Sequence, residues 1–280
     1  RAHGDEGGAA AAGFIVKPPN AAKGRRIRLA ATLADIDLSD PYWDKEKPLV
    51  QTYVDRPLLV CGLKTTMRVF ALLAGVDPAR VYVFRNGLVR ICSSKFTRDK
   101  STYHDHLVHL TNCDLHKARL GTDAVAAFGV PDADFRQDNL KSDIRSYLAY
   151  HRAKTAGAPE PDAVWARIER VVLDTMLLVD APVTVRARRE IKYRWNAFEL
   201  VGFDIMLDER FEPHLLEVNH SPAIDPDGWL ANEVKLDMLR DMLRLIDADC
   251  SHQDALRAAY SQCQPALHDL RRLAADARAA

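Results

Sequence analysis

Asp204, Glu217 and Asn219 are the residues of this 280-residue chain whose types and spacing are best suited to chemistry. They lie in two apolar, β-prone runs, Phe198 to Leu207 and His214 to Val218. The turn-like stretch Asp208-Glu209-Arg210-Phe211-Glu212-Pro213 joins the runs into a hairpin. Antiparallel pairing about a midpoint between Arg210 and Phe211 sets Asp204 opposite Glu217 and Gly202 opposite Asn219. Glu217 and Asn219 then leave one face of their strand, and cross-strand pairing brings Asp204 to the same face. Two carboxylates and an amide carbonyl suit Mg²⁺, which takes hard oxygen ligands and completes its shell with water and phosphate. A metal holding ATP phosphates is the first hypothesis. The competing reading is a half-exposed sheet whose polar residues face solvent. The apolar runs around both acids weigh against it, because an unpaired charge there is costly.

The elements that must position such a site can be read along the chain. Gly13-Phe14-Ile15-Val16-Lys17-Pro18 is a short strand that ends on Lys17. The loop Pro19 to Arg28, with four cations and Gly24 at its tip, has the form of a flap whose backbone N–H groups and Lys23 meet oxyanions; a basic surface hairpin is the alternative. Residues 32–48, rich in Asp, form a loop or a short helix. Leu49 to Val54 alternates as a strand, Leu58 to Cys61 is a further apolar run, and Lys64 to Val76 and Arg80 to Ile91 pair through a turn at Val76-Asp77-Pro78-Ala79. Lys64, Arg68 and Arg90 lie in apolar surroundings and need anions, either structural carboxylates or those of a substrate. His104 and His106 have metal-ligand spacing, but no further His or Cys is placed to complete a zinc site. Helical periodicity marks Leu140, Ile144 and Leu148, then Asp162 to about Val179, then Leu230 to Ile246; a terminal helix is expected over 253–280, interrupted near Pro265.

Composition sets limits without naming a partner. Lys+Arg and Asp+Glu are 39 each, so attraction to an acidic polymer must come from local patches such as Lys23 to Arg28 and Arg186 to Arg194. Cys61, Cys92, Cys113, Cys250 and Cys263 are odd in number and show no Cys-x-x-Cys spacing, which reads as reduced thiols in a cytosolic protein. No apolar run approaches the roughly 20 residues of a membrane span, and no nucleic-acid or membrane partner is expected. Residues 1–12 are Gly/Ala-rich and expected to be disordered. The chain opens on Arg1, as in a fragment of a longer protein.

Several stretches together resemble the tubulin tyrosine ligase-like family. They are Ile15-Val16-Lys17-Pro18, Ala22-Lys23-Gly24, Val50-Gln51-Thr52-Tyr53, Pro57-Leu58-Leu59, Lys64 with Arg68, Phe84 to Arg90, His109-Leu110-Thr111-Asn112, and the hairpin from Phe198 to Pro222. The resemblance runs from about Phe14 to Ile246. It implies an α/β (α+β) fold of ATP-grasp type, with antiparallel sheets and packed helices over 13–250, a helical extension over 251–280, and an amino-terminal lobe missing before Phe14. It also implies that Lys17, Lys23, Gly24 and Lys64 meet ATP phosphates or base and that Gln51, Tyr53 and Val54 form the adenine edge. Asp204, Glu217 and Asn219 match the Mg²⁺ ligands. Arg68 and Arg90 match positions that handle the amino acid or acyl phosphate, and Thr111 and Asn112 line the same cleft.

The activity implied is ATP-dependent ligation of an amino acid, glutamate foremost, to a glutamate side chain in an acidic tubulin tail, through an acyl phosphate. The partners implied are tubulin, microtubules and free glutamate. The location implied is the cytoplasm and cytoskeleton, with the cilium or flagellar basal body as a further site. Two departures stand out: Thr66 replaces the aspartate usual in the Lys64-to-Arg68 motif, and Arg26 replaces a flap glycine. Tyrosine or glycine ligation, and an inactive homologue that binds tubulin without ligating, remain the alternatives.

Overall fold

A computed structural model describes residues 12–19, 24–39, 43, 47–126, 128–192, 197–225 and 227–247. Lys23, nearly all of 1–12 and the helix expected over 253–280 lie outside the described residues. The architecture is mixed α/β with antiparallel sheets and packed helices, as expected. A small sheet has the order β2-β1-β3, with β1 Phe14–Lys17, β2 Arg28–Ala30 and β3 Leu49–Thr52. A larger sheet has the order β7-β6-β5-β8-β9, with β4 (Leu59–Val60) paired to β5. Its strands are β5 Leu63–Val76, β6 Ala79–Lys95, β7 Lys141–Asp143, β8 Glu199–Leu207 and β9 Pro213–His220.

Alternation along β5 explains how the larger sheet is covered. Met67, Val69 and Ala71 point to one face, where with Phe203 and Ile205 they join the main core and pack against Tyr147, Trp165, Ile168 and Val172. Those residues come from the helices Ile144–Lys154 and Pro161–Glu190. On the other face, Phe70 packs with Met238 and Leu239 of the helix Trp229–Asp247, and Leu88 with its Leu230 and Val234. Arg68 and Asp204 belong to this second face, beyond the reach of that helix's apolar stripe.

Two boundaries differ from the periodicity. Leu140 is not helical; it precedes β7, and the helix begins after Asp143, whose side chain accepts from the Ser146 N–H as an N-cap. The long helix passes Val179 and runs through Pro182 to Glu190, so much of the basic stretch from Arg186 is its last turn. Arg186 there pairs with Glu190, and Arg188 with Asp77. Pro161 opens the helix at a position where its missing N–H has no intrahelical acceptor to lose.

Candidate active site

The hairpin register is the one derived from the sequence: Asp204 pairs with Glu217 and Gly202 with Asn219. Nearer the turn the ladder shifts by one residue, Ile205 pairing with Leu215, and this bulge leaves Leu216 without a cross-strand partner. The Leu216 carbonyl accepts instead from Lys17 Nζ at 3.2 Å, which ties the small sheet to the large one. Register also aligns the other polar positions. Arg68 lies opposite Asp204, and the rung Lys141, Arg90 and Thr66 runs beside it across β7, β6 and β5.

Arg68 and Arg90 both clamp Asp204. Arg68 Nε pairs with Oδ1, its Nη2 donates to Oδ2 at 3.0 Å, and Arg90 Nη1 donates to Oδ2 at 3.0 Å. Gly202 makes room, since a Cβ there would stand 2.8 Å from Arg68 Cδ. Burial alone would raise the Asp204 carboxyl, but the Arg90 charge and the Arg68 hydrogen bonds outweigh it and hold the group at about 2. Glu217 is shifted the other way. Its desolvation and the neighbouring Asp204 raise it, against the opposing pull of Asn219 and Lys17. Asn219 Nδ2 donates to Glu217 Oε1 at 3.1 Å.

Two carboxylates that disturb each other across adjacent strands, with an amide beside them, form a donor set that a divalent cation would relieve. Asp204, Glu217 and Asn219 therefore fit Mg²⁺ in type. Both Asp204 oxygens are shared with guanidiniums, so a metal would have to draw Asp204 away from Arg68 and Arg90.

A second network surrounds Lys64, which is 2% exposed. Its ammonium donates to Tyr53 Oη at 2.8 Å and to the His109 carbonyl at 2.9 Å. Tyr53 Oη then donates to His109 Nδ1 at 2.9 Å, and Nε2–H reaches Thr102 Oγ1 at 2.9 Å, a tautomer that satisfies every group in the chain. Burial lowers Lys64 to about 8, and burial with the Lys64 charge lowers His109 to about 4, so His109 is neutral near pH 7. The Tyr53 backbone N–H is committed to the Gly13 carbonyl at 2.8 Å.

One cleft of about 1150 Å³ brings these networks together. Every residue that the sequence assigned to nucleotide, metal or amino acid lines it, save Lys23, which lies outside the described residues; His104, His106 and Arg26 do not. Thr111 Oγ1 meets Thr66 Oγ1 at 2.6 Å. Asn112 is an N-cap, its Oδ1 accepting from the Leu115 N–H at 3.2 Å, and it lies beneath Gly24 of the flap. Arg26, where the family usually has glycine, holds φ at 60°, the left-handed region that glycine adopts without strain. The basic stretch from Arg186 is elsewhere, on the helix that packs against the opposite sheet face.

Sequence reasoning missed Lys141, Lys235 and Asp227, which also line the cleft. Lys235 carried a signal: it follows Val234 on the buried stripe of an amphipathic helix, where lysine is out of place.

Comparison with known proteins identifies the family. Residues 3–254 match the Tubulin-tyrosine ligase family. The chain belongs to that family. Among its relatives, a protein of Tetrahymena thermophila named "Probable beta-tubulin polyglutamylase" is 31% identical over 87% of this chain and 20% of its own length. A tubulin monoglutamylase of Homo sapiens is 30% identical over 89% of the chain and 20% of its own length. A tubulin polyglutamylase of Danio rerio is 30% identical over 84% and 28%. The chain thus spans between a fifth and somewhat over a quarter of the length of these relatives. Among the described residues, no helix is long and apolar enough to cross a membrane.

Proposed function

We propose that this chain is the ATP-grasp catalytic module of a tubulin glutamate ligase. The observation that carries the reading is the meeting of Lys17, Lys64, Arg68 and Arg90 with Asp204, Glu217 and Asn219 in one cleft, in a chain similar to tubulin glutamylases. A carboxylate is a poor electrophile. ATP supplies the γ-phosphoryl group that converts the acceptor glutamate into an acyl phosphate, and Mg²⁺ neutralises the phosphate oxygens.

The chain's own residues have separable tasks in this reading. Lys64 and Lys17 hold phosphate oxygens, with Lys64 fixed in place by Tyr53 and the His109 carbonyl. Gln51, Tyr53 and Val54 border the base. Asp204, Glu217 and Asn219 would hold the metal. Arg68 and Arg90, which flank Asp204, would supply donors to the acyl phosphate, where preorganised guanidiniums stabilise the charge that develops. Thr111 and Asn112 shape the cleft beside them, and Gly24 and Lys23 meet phosphate oxygens. The acceptor is an acidic tubulin tail, which locates the protein on the cytoskeleton and in cilia or basal bodies.

Purified protein incubated with tubulin, ATP, Mg²⁺ and each labelled amino acid tests the proposal. Label transfer from glutamate supports it, and transfer from tyrosine or glycine alone replaces glutamate with that residue. A second reading, a tubulin-binding homologue that does not ligate, is favoured by Thr66 and by the double clamp on Asp204. Tubulin binding with no transfer of any label would decide for it.

A further inference from the structure

Lys64 is buried without an anionic partner. Among the described residues its Nζ meets Tyr53 Oη, the His109 carbonyl and the rings of Tyr53 and Phe96, with centroids at 4.3 and 5.7 Å. The titratable groups that face it are Lys17 of β1, Cys92 of β6 and the imidazole of His109, and burial pushes the Cys92 thiol up to about 12, so none brings a negative charge near pH 7. A buried ammonium held by neutral acceptors is costly until an anion reaches it. Two of its three N–H donors are taken, and the third remains for the cleft that Lys64 lines. Where that third donor points depends on the groups behind Lys64. The ammonium only donates, so Tyr53 Oη accepts from it and must send its own proton elsewhere. The acceptor is His109 Nδ1, which requires the Nε2–H tautomer. Nε2–H donates to Thr102 Oγ1, and the Thr102 hydroxyl donates at 2.6 Å to the Asp99 carbonyl, a group that only accepts. The chain of hydrogen bonds therefore runs one way, from Lys64 to a backbone oxygen. Tyr53, Phe96 and Tyr103 meet the imidazole edge-on, at 5.8, 5.8 and 5.2 Å between centroids, and hold its plane. With the proton on Nδ1 instead, His109 would donate to Tyr53 Oη, and the tyrosine hydrogen would be turned toward an ammonium that cannot accept it.

We infer that Thr102 and the His109 ring are positioning residues for nucleotide binding: by fixing the imidazole tautomer they keep the Tyr53 hydroxyl an acceptor, and that hydroxyl aims the Lys64 ammonium at phosphate. The inference rests on the nucleotide-binding part of the ligase reading and gives roles to two side chains which that reading leaves out. Thr102 ends the short 3₁₀ turn Lys100–Thr102 and stands outside the lining of the cleft, so it acts without touching the ligand.

The test is calorimetric titration of the whole chain with a non-hydrolysable ATP analogue and Mg²⁺ across about pH 6.5–9, the range in which Lys64 loses its proton. Thr102→Val keeps the shape of the side chain and removes the acceptor of Nε2–H. Affinity near pH 7 should fall about three- to tenfold, the scale of one net hydrogen bond. Its decline toward high pH should also begin earlier, because an ammonium that loses an acceptor gives up its proton more readily. Thr102→Ser keeps the hydroxyl and should restore both. His109→Asn and His109→Gln separate hydrogen bonding from packing: the Asn oxygen stands near the Nδ1 position and serves Tyr53, whereas the Gln amide reaches the Nε2 position. The Asn form should bind the analogue more tightly, although Gln is the closer match to histidine in size. Nitrogen NMR of isotope-labelled histidine gives a reading without nucleotide: His109 should be the Nε2–H tautomer in the wild type and shift toward Nδ1–H in Thr102→Val. An unchanged affinity and pH profile in Thr102→Val, tighter binding by the Gln than by the Asn form, or an Nδ1–H tautomer in the wild type each overturns the inference, and the ligase reading still stands on wild-type binding. Failure of the wild type to bind the analogue removes the ligase reading and the inference with it. Thermal melts check folding, and should the His109 variants unfold, Thr102→Val against Thr102→Ser carries the comparison.

Discussion

Glu217→Gln should strengthen the fold and abolish metal-dependent nucleotide binding, two effects of opposite sign from one atom pair. Glu217 faces Asp204 directly across β8 and β9, at the Cβ separation of about 5 Å usual for such pairs. Two full charges at that distance repel by about 3 kcal/mol at an effective dielectric of about 20. Asp204 is already compensated by Arg68 and Arg90, and Lys17 acts on Glu217 from the other strand layer, so about 1 kcal/mol of net repulsion remains. Glu217 is on the open side of its strand, and solvent screening reduces that to roughly 0.5–1 kcal/mol.

The sign follows from linkage. The folded protein raises the Glu217 carboxyl, so its ionised form opposes folding above the ordinary carboxylate range, and an uncharged amide removes that opposition. Differential scanning calorimetry at pH 7 should show Tm rising by about 1–3 °C for a chain of this size. Titration with an ATP analogue should show that the gain in affinity from Mg²⁺ is lost. A lower Tm would refute the like-charge argument, and a retained Mg²⁺ effect would remove Glu217 from the metal set.

Thr66→Asp places a carboxylate opposite Arg90 and between Lys64 and Arg68 on β5, offering the guanidiniums a partner other than Asp204. After desolvation of the new charge, nucleotide affinity in Mg²⁺ should rise by about fivefold, or about 1 kcal/mol; unchanged or weaker binding by isothermal titration would show that the clamp on Asp204 does not compete with metal. Arg26→Gly relieves a left-handed residue worth about 1 kcal/mol and lets phosphate approach the flap backbone, so affinity for the same analogue should increase. Equal Kd values for the two forms would count against a phosphate-covering flap. Lys64, lowered to about 8, is only about half charged at pH 8, and a bound phosphate should restore its proton. Binding should therefore take up protons at pH 8 and weaken as pH rises further, which titrations in buffers of different ionisation enthalpy would detect; identical apparent enthalpies would exclude Lys64 from the phosphate site.

The sequence by itself determined the hairpin and its chemistry. Alternating apolar positions around a polar turn specify which residues face each other, so the pairing of Asp204 with Glu217 followed from counting outward from the turn. The same local logic located β5, β6 and the buried halves of the two long helices, because period-two and period-3.6 patterns are written in adjacent residues. Lys64, Arg68 and Arg90 were conspicuous as charges among apolar neighbours. Tertiary structure decided their partners. Nothing local says that both guanidiniums converge on Asp204, which lies 136 and 114 residues away in sequence. The bulge that turns the Leu216 carbonyl toward Lys17 depends on a second sheet packing above the hairpin. The three-residue strand β7 has too short a pattern to be seen, and it takes its conformation from pairing with β6. Lys141 and Lys235 meet only because that strand and a helix nearly a hundred residues later close on the same end of the cleft. Charge compensation over such distances is a property of the packed chain, since it is burial that makes each ammonium require a neighbour.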